Sequence, residues 1–357
     1  MRIVVNPKDF RKKQFIVSTI MVDFMKKRVA FIACCAFMAL VALTSCSKKD
    51  SGLFTVTVGG NAYDVMVVGD PDIWKGNAGR ALFDVLDEDM PGLPQAEPMF
   101  NILFLNTQDF TDIVKPMRSL VFYDVDSTQY TQGKVSFSVD RWAKTQAIVK
   151  ITAPTQEEME RVVKEKGKSI VDFFVDKECE RSLLFFDRYP NLEGKKLLHD
   201  KLGIRLSLPN YIDKSKVGDK FIWLSNGSVD ARLDILAYRT PFQGPKDMGI
   251  ERILEKRDSL TKIYIPGPSE GSYMCVEHEV IPPVERRILF KGKKCTEVRG
   301  LWRTENEFMG GPFVSRTYVD TLRQEAVTVE AFVYAPQHKK RNKIRQVEAA
   351  LHSLEIE

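Results

Sequence analysis

Cysteine is scarce in this chain, with 6 residues in 357. Three lie near the N-terminus, and the remainder of the chain holds the other three: Cys179, Cys275 and Cys295. So few thiols exclude a scaffold that depends on a disulfide framework. One disulfide bridge remains possible, and Cys275 and Cys295 are the best candidate pair because both lie in predicted neighbouring strands. Free buried thiols are the alternative.

Histidine is scarcer still, with 4 residues, and no C-x-x-C or H-x-x-x-H pair occurs. Cys275, Glu277 and His278 are close in sequence, but on a strand His278 faces away from the other two. A zinc site needs three or four converging ligands. We therefore expect no metal site, and no motif indicates a cofactor.

Long apolar runs and an excess of one charge are also absent after Cys46. No later run approaches the ~20 residues of a membrane-spanning helix. Of the 53 Lys and Arg and 48 Asp and Glu residues, 8 and 2 lie in residues 1–45, which leaves 45 basic and 46 acidic residues. The later part therefore has a net charge of −1, which gives no electrostatic reason to expect nucleic acid as a partner.

The N-terminal segment has the three parts of a bacterial export signal. Lys26–Arg28 is basic, Val29–Leu43 is apolar but too short for a span, and small residues lead into Cys46. Leu43-Thr44-Ser45-Cys46 resembles the lipobox of bacterial lipoproteins, which implies that Cys46 is acylated and becomes the mature N-terminus. We expect residues 1–45 to be an export signal with its true start at Met25, and residues 46–53 to be a lipidated tether.

The residues after the lipobox predict the location. Position 47 holds Ser rather than the Asp that often signals retention of a lipoprotein in the inner membrane. Positions 48 and 49 hold Lys rather than the acidic run that resembles a surface-export signal in some lipoproteins. We expect a protein of the cell envelope that is anchored by lipid to the outer membrane and faces the periplasm. The lipid is its expected contact with the membrane.

Beyond the tether, short apolar strands alternate with a few amphipathic helices, which predicts an α+β fold with mostly antiparallel sheets. The clearest helix follows Pro154, where Thr155 and Glu158 form a capping-box pattern. Its apolar face is predicted from helical spacing: Met159, Val162, Val163, Ile170, Val171 and Phe174. A last helix is predicted around Ile344, Val347, Leu351 and Leu354.

An internal similarity predicts two units, residues 54–190 and 191–357. Each contains a strand, an Ala-Pro pair and an amphipathic helix, at Ala153-Pro154 and Ala335-Pro336. A duplicated α+β unit explains the pattern, and so does the frequent use of proline at helix starts. The order of strands and final helix also resembles the Mog1/PsbP-like fold.

Several segments rich in Pro and Gly are distinctive: GLPQAEPMF (Gly92–Phe100), GPSEGSYM (Gly267–Met274), RGLW (Arg299–Trp302), MGGPF (Met309–Phe313) and FVYAP followed by Lys340-Arg341. Together they resemble a family of uncharacterised bacterial lipoproteins described as domain of unknown function 4837. The resemblance implies an envelope lipoprotein and no assigned activity, so no catalytic residue is transferred from it.

The segment Arg299–Phe313 is a candidate binding loop between two predicted strands. Trp and Arg are the residue types that recognition surfaces favour. The alternative is a loop that folds its tryptophan onto the sheet as part of the core, with Gly-Gly-Pro shaping a turn. The candidate binding residues are Arg299, Trp302, Arg303, Glu305, Glu307 and Phe308.

A basic run opens the last helix, where the helix dipole prefers negative charge. This arrangement predicts an anionic partner such as a lipid headgroup, and the alternative is a set of solvated lysines. The candidate anion patch comprises Lys339, Lys340, Arg341 and Lys343.

Two function classes remain. The first is a non-catalytic binding or assembly factor for an envelope protein or for peptidoglycan. The second is a hydrolase of peptidoglycan or an envelope polysaccharide, with Glu305 and Glu307 as its carboxylates. Gly267–Gly271 matches G-x-S-x-G, but a strand pattern follows it where a nucleophile elbow needs a helix, so we interpret it as a turn.

Overall fold

The computed structural model of the protein describes residues 56–290 and 292–357. The predicted export signal, the predicted lipidation site at Cys46 and the predicted tether lie outside the described residues. Within the described part, the chain forms six α-helices and fifteen strands arranged in two main sheets.

The first sheet has five strands in the order β2-β1-β3-β5-β4. Its strands are β1 (Asp64–Gly69), β2 (Asn101–Asn106), β3 (Ser119–Val125), β4 (Lys134–Val139) and β5 (Ala147–Ala153). Three of its pairings are parallel, and only β4 runs antiparallel to its partner β5. The parallel step from β1 to β2 is possible because helices α1 (Pro71–Lys75) and α2 (Asn77–Leu86) connect them.

The second sheet has eight strands, all paired antiparallel, in the order β10-β12-β13-β14-β9-β8-β7, with β11 also paired to β12. These strands are β7 (Lys214–Gly218), β8 (Phe221–Ser225), β9 (Arg232–Pro241), β10 (Met274–Glu277), β11 (Val284–Phe290), β12 (Lys293–Thr304), β13 (Gly310–Asp320) and β14 (Glu325–Tyr334). A separate pair joins β6 (Ile204–Arg205) to β15 (Glu355–Ile356).

The remaining helices are α3 (Gln156–Arg188), α4 (Leu192–Leu202), α5 (Ile250–Tyr264) and α6 (Arg341–Leu351). At the start of α3, the Thr155 side chain accepts a hydrogen bond from the Glu158 amide, as the capping pattern predicts. The Glu158 carboxylate instead accepts from Gly133 N–H and binds Arg161. No helix of residues 56–290 and 292–357 is long and apolar enough to cross a membrane.

Side chains of the second sheet alternate between two hydrophobic clusters. On β14, Val327, Val329 and Val333 belong to the larger cluster, while Phe332 belongs to a second cluster that α5 covers. The larger cluster also contains side chains of the first sheet and of α3, α4 and α6. Helix α6 contacts β14 on one side and α3 on the other, so the two sheets share one core through it.

The α+β fold with mostly antiparallel sheets is confirmed, as is the predicted apolar face of α3. In the last helix, Ile344, Val347 and Leu351 are buried as predicted, whereas Leu354 is buried but lies after the helix has ended at Leu351. The two sheets differ in strand order and direction. The strand–Ala-Pro–helix similarity is therefore local and does not extend to one sheet topology repeated twice. Helix α4 was not predicted.

Candidate functional site

A cleft lies on the face of the second sheet that packs against α5, at the edge where β8 and β14 end and β9 begins. The antiparallel register places Arg232 directly opposite Tyr334, and Asp234 directly opposite Ser225. Trp223 lies two residues before Ser225 on the same face of β8. Five side chains from three strands therefore meet at one end of the sheet.

Asp234 fixes the floor of this cleft. Its side chain is completely buried, and its carboxylate accepts hydrogen bonds from Trp223 Nε1 at 2.9 Å and from Arg232 Nε at 3.1 Å. Burial raises the pKa of Asp234 to about 6, although the Arg232 charge and the hydrogen bonds from Ser225 and Trp223 act in the opposite direction. The carboxylate is therefore charged at neutral pH and holds two recognition residues in place.

Arg232 lies between two aromatic rings. Its guanidinium carbon is 5.7 Å from the Trp223 ring centroid and 5.8 Å from the Tyr334 ring centroid. Both distances are within the range of a cation–π contact. The Arg232 side chain is 23% exposed, so its charge remains within reach of a ligand.

The cleft has a volume of about 440 Å³, within the range of small-molecule sites. Its other walls come from β7, from the loop between β8 and β9, and from the tip of the β12–β13 hairpin. They contribute Lys214, Lys216, Ser228, Val229 and Met309. Aromatic faces, hydroxyl groups and positive charge therefore surround one space.

The side chains that line the cleft are aromatic, hydroxyl-bearing, basic or apolar. In the part of the chain that the structure describes, no group of three or more His, Cys, Asp and Glu side chains could hold a metal ion. The Asp234 carboxylate accepts hydrogen bonds from Trp223 and Arg232, two residues that line the cleft. What the cleft offers is stacking surface together with hydrogen-bond donors.

The predicted binding loop is largely a β-hairpin. Arg299–Thr304 belongs to β12 and Gly310–Phe313 to β13, so the loop itself is residues 305–309. Phe308 is fully exposed at its tip, and Met309 reaches the cleft. The prediction of a loop over residues 299–313 is wrong because the glycines serve the sheet rather than a turn.

Trp302 shows why those glycines are needed. It is 2% exposed, pairs with Gly311 across the hairpin, and donates from Nε1 to Val333 O at 3.2 Å. A Cβ atom on Gly311 would lie 2.0 Å from that same carbonyl oxygen. Glycine at this position therefore allows β13 and β14 to approach closely under the indole ring. Trp302 packs edge-on against Phe332 and is a core residue.

The other residues of the predicted loop are separated from one another. Arg299 forms salt bridges with Glu297 and Glu348 on the face of the sheet opposite Trp302. Arg303 is 43% exposed and pairs with Glu305 at 2.7 Å. Glu307 accepts a hydrogen bond from Ser269, which lies in the tight turn predicted at the G-x-S-x-G match.

The predicted anion patch has a different explanation, because the anion is part of the protein. Glu97 accepts hydrogen bonds from the backbone N–H groups of Lys340 at 2.6 Å and Arg341 at 3.1 Å. Lys340 is only 5% exposed, and Arg341 Nη1 donates to Pro98 O at 2.6 Å. Of the four residues, Lys339 is exposed and Lys343 is half-buried. Lys340 and Arg341 are therefore held by partners within the protein, and the surface for an external anion stays a prediction.

The predicted disulfide is also wrong, since Cys179, Cys275 and Cys295 are free thiols. Cys275 on β10 lies opposite Arg303 of β12, whereas Cys295 lies eight residues earlier on β12. At about 3.4 Å per residue, that is roughly 27 Å along the strand, far beyond the reach of a disulfide.

Trp223, Arg232, Asp234 and Tyr334 were missed in the sequence. The available signal is weak: an Arg and an Asp at alternate positions open strand β9, just before the apolar stretch Ile235–Tyr238. A charged side chain in a strand that is buried on both faces requires a partner. Sequence alone does not identify that partner, because it lies on other strands.

Two family profiles match the chain. Residues 58–184 match Domain of unknown function (DUF8532), and residues 191–353 match Domain of unknown function (DUF4837). The Trp223 cleft lies in the second match, whereas the string Gly92–Phe100, attributed above to DUF4837, lies in the first. No curated protein matches the chain significantly. The match of residues 191–353 confirms the predicted resemblance to Domain of unknown function (DUF4837) for that part of the chain.

Proposed function

We propose that the protein is a lipid-anchored component of the bacterial cell envelope that binds a saccharide chain of the cell wall without cleaving it. The lipobox pattern at Cys46 supports the location. The cleft beside Trp223 supports the binding activity, because it combines two aromatic rings, hydroxyl groups and three basic side chains in one concave site.

The chemistry of a cell-wall glycan fits these side chains. The apolar face of a sugar ring packs against an aromatic side chain, and hydroxyl, acetamido and carboxylate groups accept hydrogen bonds from Arg, Lys and Ser. Trp223, Tyr334 and Arg232 are the residue types that dominate binding energy at recognition sites. A protein partner would use the same anchors, so the ligand class must be tested directly.

The observation that carries the proposal is the preorganisation of the cleft by Asp234. A buried carboxylate that holds both the indole and the guanidinium reduces the entropy lost when a ligand binds. Core packing alone does not require this arrangement, since an apolar residue at position 234 would avoid the cost of burying a charge.

The test is co-sedimentation of the purified protein with isolated peptidoglycan. Trp223→Ala should weaken binding by tenfold or more, because truncation of a binding anchor typically costs about 2 kcal/mol. Trp142→Ala is the matched control, since Trp142 lies in the first half of the chain beside Phe110 and Phe122. If Trp223→Ala binds peptidoglycan as well as the wild-type protein does, the cleft is not the glycan site. If the same residues instead capture an envelope protein, the ligand is a protein.

No observation favours the hydrolase alternative. Glu305 is paired with Arg303, and Glu307 accepts from Ser269. We therefore expect that peptidoglycan incubated with the protein releases no soluble fragments. Release of reducing ends that Glu305→Gln abolishes would establish a glycosidase instead.

The lipid anchor is tested separately. Cys46→Ala should prevent acylation and move the protein from the membrane fraction to the soluble fraction. A variant that still sediments with membranes after a high-salt wash contradicts the anchor. For the predicted periplasmic side, protease added to intact cells should leave the wild-type protein uncut.

A further inference from the structure

A second cleft, of about 590 Å³, lies on the opposite face of the second sheet from Trp223. Its walls are α2 and α3, which lie in the residue 58–184 match, and β11, β12, β13 and α6, which lie in the residue 191–353 match. Any ligand in this cleft would therefore contact both family domains.

A row of charged side chains crosses the strands at the floor of the cleft. Glu297 on β12 lies directly opposite Arg286 on β11 and Arg316 on β13. Arg316 is bound to Glu297 at 2.9 Å, and Arg299 is bound to Glu297 at 3.0 Å and to Glu348. The two buried carboxylates are thus occupied by Arg299 and Arg316.

Arg345 on α6 is left without a hydrogen-bonded carboxylate. It is 8% exposed, its Nη2 contacts the Met99 sulfur at 3.0 Å, and its guanidinium lies 5.4 Å from the Tyr63 ring centroid. Its Nε has no hydrogen-bond partner among the described residues, and the same is true of Nη1 of Arg316, which is 3% exposed. Two donors on buried cations that line one cleft are costly unless an acceptor arrives.

The net charge of the floor is positive. Three guanidinium groups, on Arg299, Arg316 and Arg345, face two carboxylates, on Glu297 and Glu348. The rim has equal numbers of basic and acidic residues: Lys164, Lys168 and Arg286 against Glu88, Asp89 and Asp172. One positive charge therefore remains deep in the cleft.

His352 does not change this balance. Arg316 Nη2 lies 3.0 Å from His352 Nε2, and because Arg316 can only donate, Nε2 accepts. Burial and the Arg316 charge lower the pKa of His352 to about 4. The imidazole is therefore neutral at pH 7.

We propose that this cleft binds a small ligand through a carboxylate or phosphate group that accepts hydrogen bonds from Arg316 Nη1 and Arg345 Nε. The oxygens of such a group would supply the acceptors that these two donors lack and would neutralise the remaining charge. Guanidinium groups are the side chains best suited to both anions. The site is separate from the Trp223 cleft and does not depend on the function proposed for it.

The test is isothermal calorimetry on the full chain with inorganic phosphate and, separately, citrate, each at an ionic strength matched with sodium chloride. At least one should bind and raise the melting temperature. Arg345→Gln should weaken that binding tenfold or more. Lys164→Glu, on an exposed rim residue that leaves the fold intact, should weaken it several-fold.

Arg239→Gln is the matched control, because Arg239 is another buried arginine of the same sheet, paired with Asp320 at 2.8 Å. It should lower stability and leave anion binding unchanged. Binding of phosphate alone or citrate alone identifies the anion class, and either result supports the site. Absence of binding by both, or equal weakening in Arg239→Gln and Arg345→Gln, overturns the proposal.

Discussion

Trp302 illustrates how one residue type supports opposite hypotheses. An aromatic side chain between Arg residues, followed by Gly-Gly-Pro, has the composition of a recognition loop. In the structure the same side chain fills the core between β12 and β14, and Gly311 is the residue that admits it. The residue at this end of the sheet for which we propose a recognition role is Trp223, whose side chain lines the cleft.

Trp302→Ala should therefore lower the free energy of unfolding by about 3–5 kcal/mol and the melting temperature by several degrees. The loss comes from the cavity and from the hydrogen bond to Val333 O. Phe308→Ala, in the same hairpin but fully exposed, should change stability by no more than about 0.5 kcal/mol. Urea denaturation of both variants checks this, and a Trp302→Ala protein as stable as wild type would contradict the core assignment.

Asp234 makes an unusual contribution to the pH dependence of stability. Its folded-state pKa of about 6 lies above the unfolded value near 3.9, so between these pH values the folded protein binds a proton that the unfolded chain does not. This group alone therefore increases stability as pH falls below 6, by up to about 1.4 kcal/mol per pH unit.

Asp234→Asn should remove this contribution. The stability of wild type relative to the variant should then rise between pH 6.5 and pH 5, even though other carboxylates, such as Glu348 with its lowered pKa, make both proteins less stable in acid. Urea denaturation at both pH values measures the difference. A difference that stays constant with pH would show that Asp234 titrates normally.

At the scale of elements, helix α6 depends on a residue about 240 positions earlier. Its first turn carries basic residues, which the helix dipole disfavours. The Glu97 carboxylate accepts from two backbone N–H groups at that end, a capping role usually taken by a residue next to the helix. The segment containing Glu97 therefore connects the first half of the chain to the helix on which the second sheet packs.

Glu97→Ala should destabilise the protein by about 1–3 kcal/mol, because two donors are left unpaired in a buried place. Glu97→Gln should cost less, since an amide oxygen still accepts one of the bonds. Glu193→Gln, an exposed acid in the first turn of α4, is the matched control and should have little effect. Equal stabilities for all three variants in urea would show that α6 does not need this cap.

At the scale of the whole molecule, the two halves share one hydrophobic core. Residues 56–357 form one unit, and α6 is buried between the second sheet and α3. A helix with seven of its eleven residues buried exposes a large apolar surface if either neighbour is removed. The halves are therefore expected to stabilise each other rather than to fold independently.

The whole chain should unfold in a single transition. A variant with Trp223→Phe and Trp302→Phe keeps indole fluorescence only in the first half, at Trp74 and Trp142. The reciprocal variant, Trp74→Phe with Trp142→Phe, reports on the second half. Midpoints that coincide with the circular dichroism midpoint of the same variant are expected. Separate fluorescence and dichroism midpoints within either variant would mean that the halves unfold independently.

Most of the fold could be predicted from local pattern. Periodicity predicted both main amphipathic helices, because each must bury one regular face. It missed α4, whose apolar positions are few. The parallel order of the first sheet was not predicted, since strand partners depend on chain crossings that no local window contains.

The sequence by itself determined the α+β class, the buried helix faces and the family of residues 191–353. Only the tertiary structure decided what the charged and aromatic residues do. In the fold, Cys275 lies far from Cys295 and Trp302 lies in the core. The Glu97 carboxylate accepts a hydrogen bond from the backbone at the start of α6. The reason is physical: apolar periodicity is a property of one element, whereas each of these roles depends on a partner from a distant part of the chain.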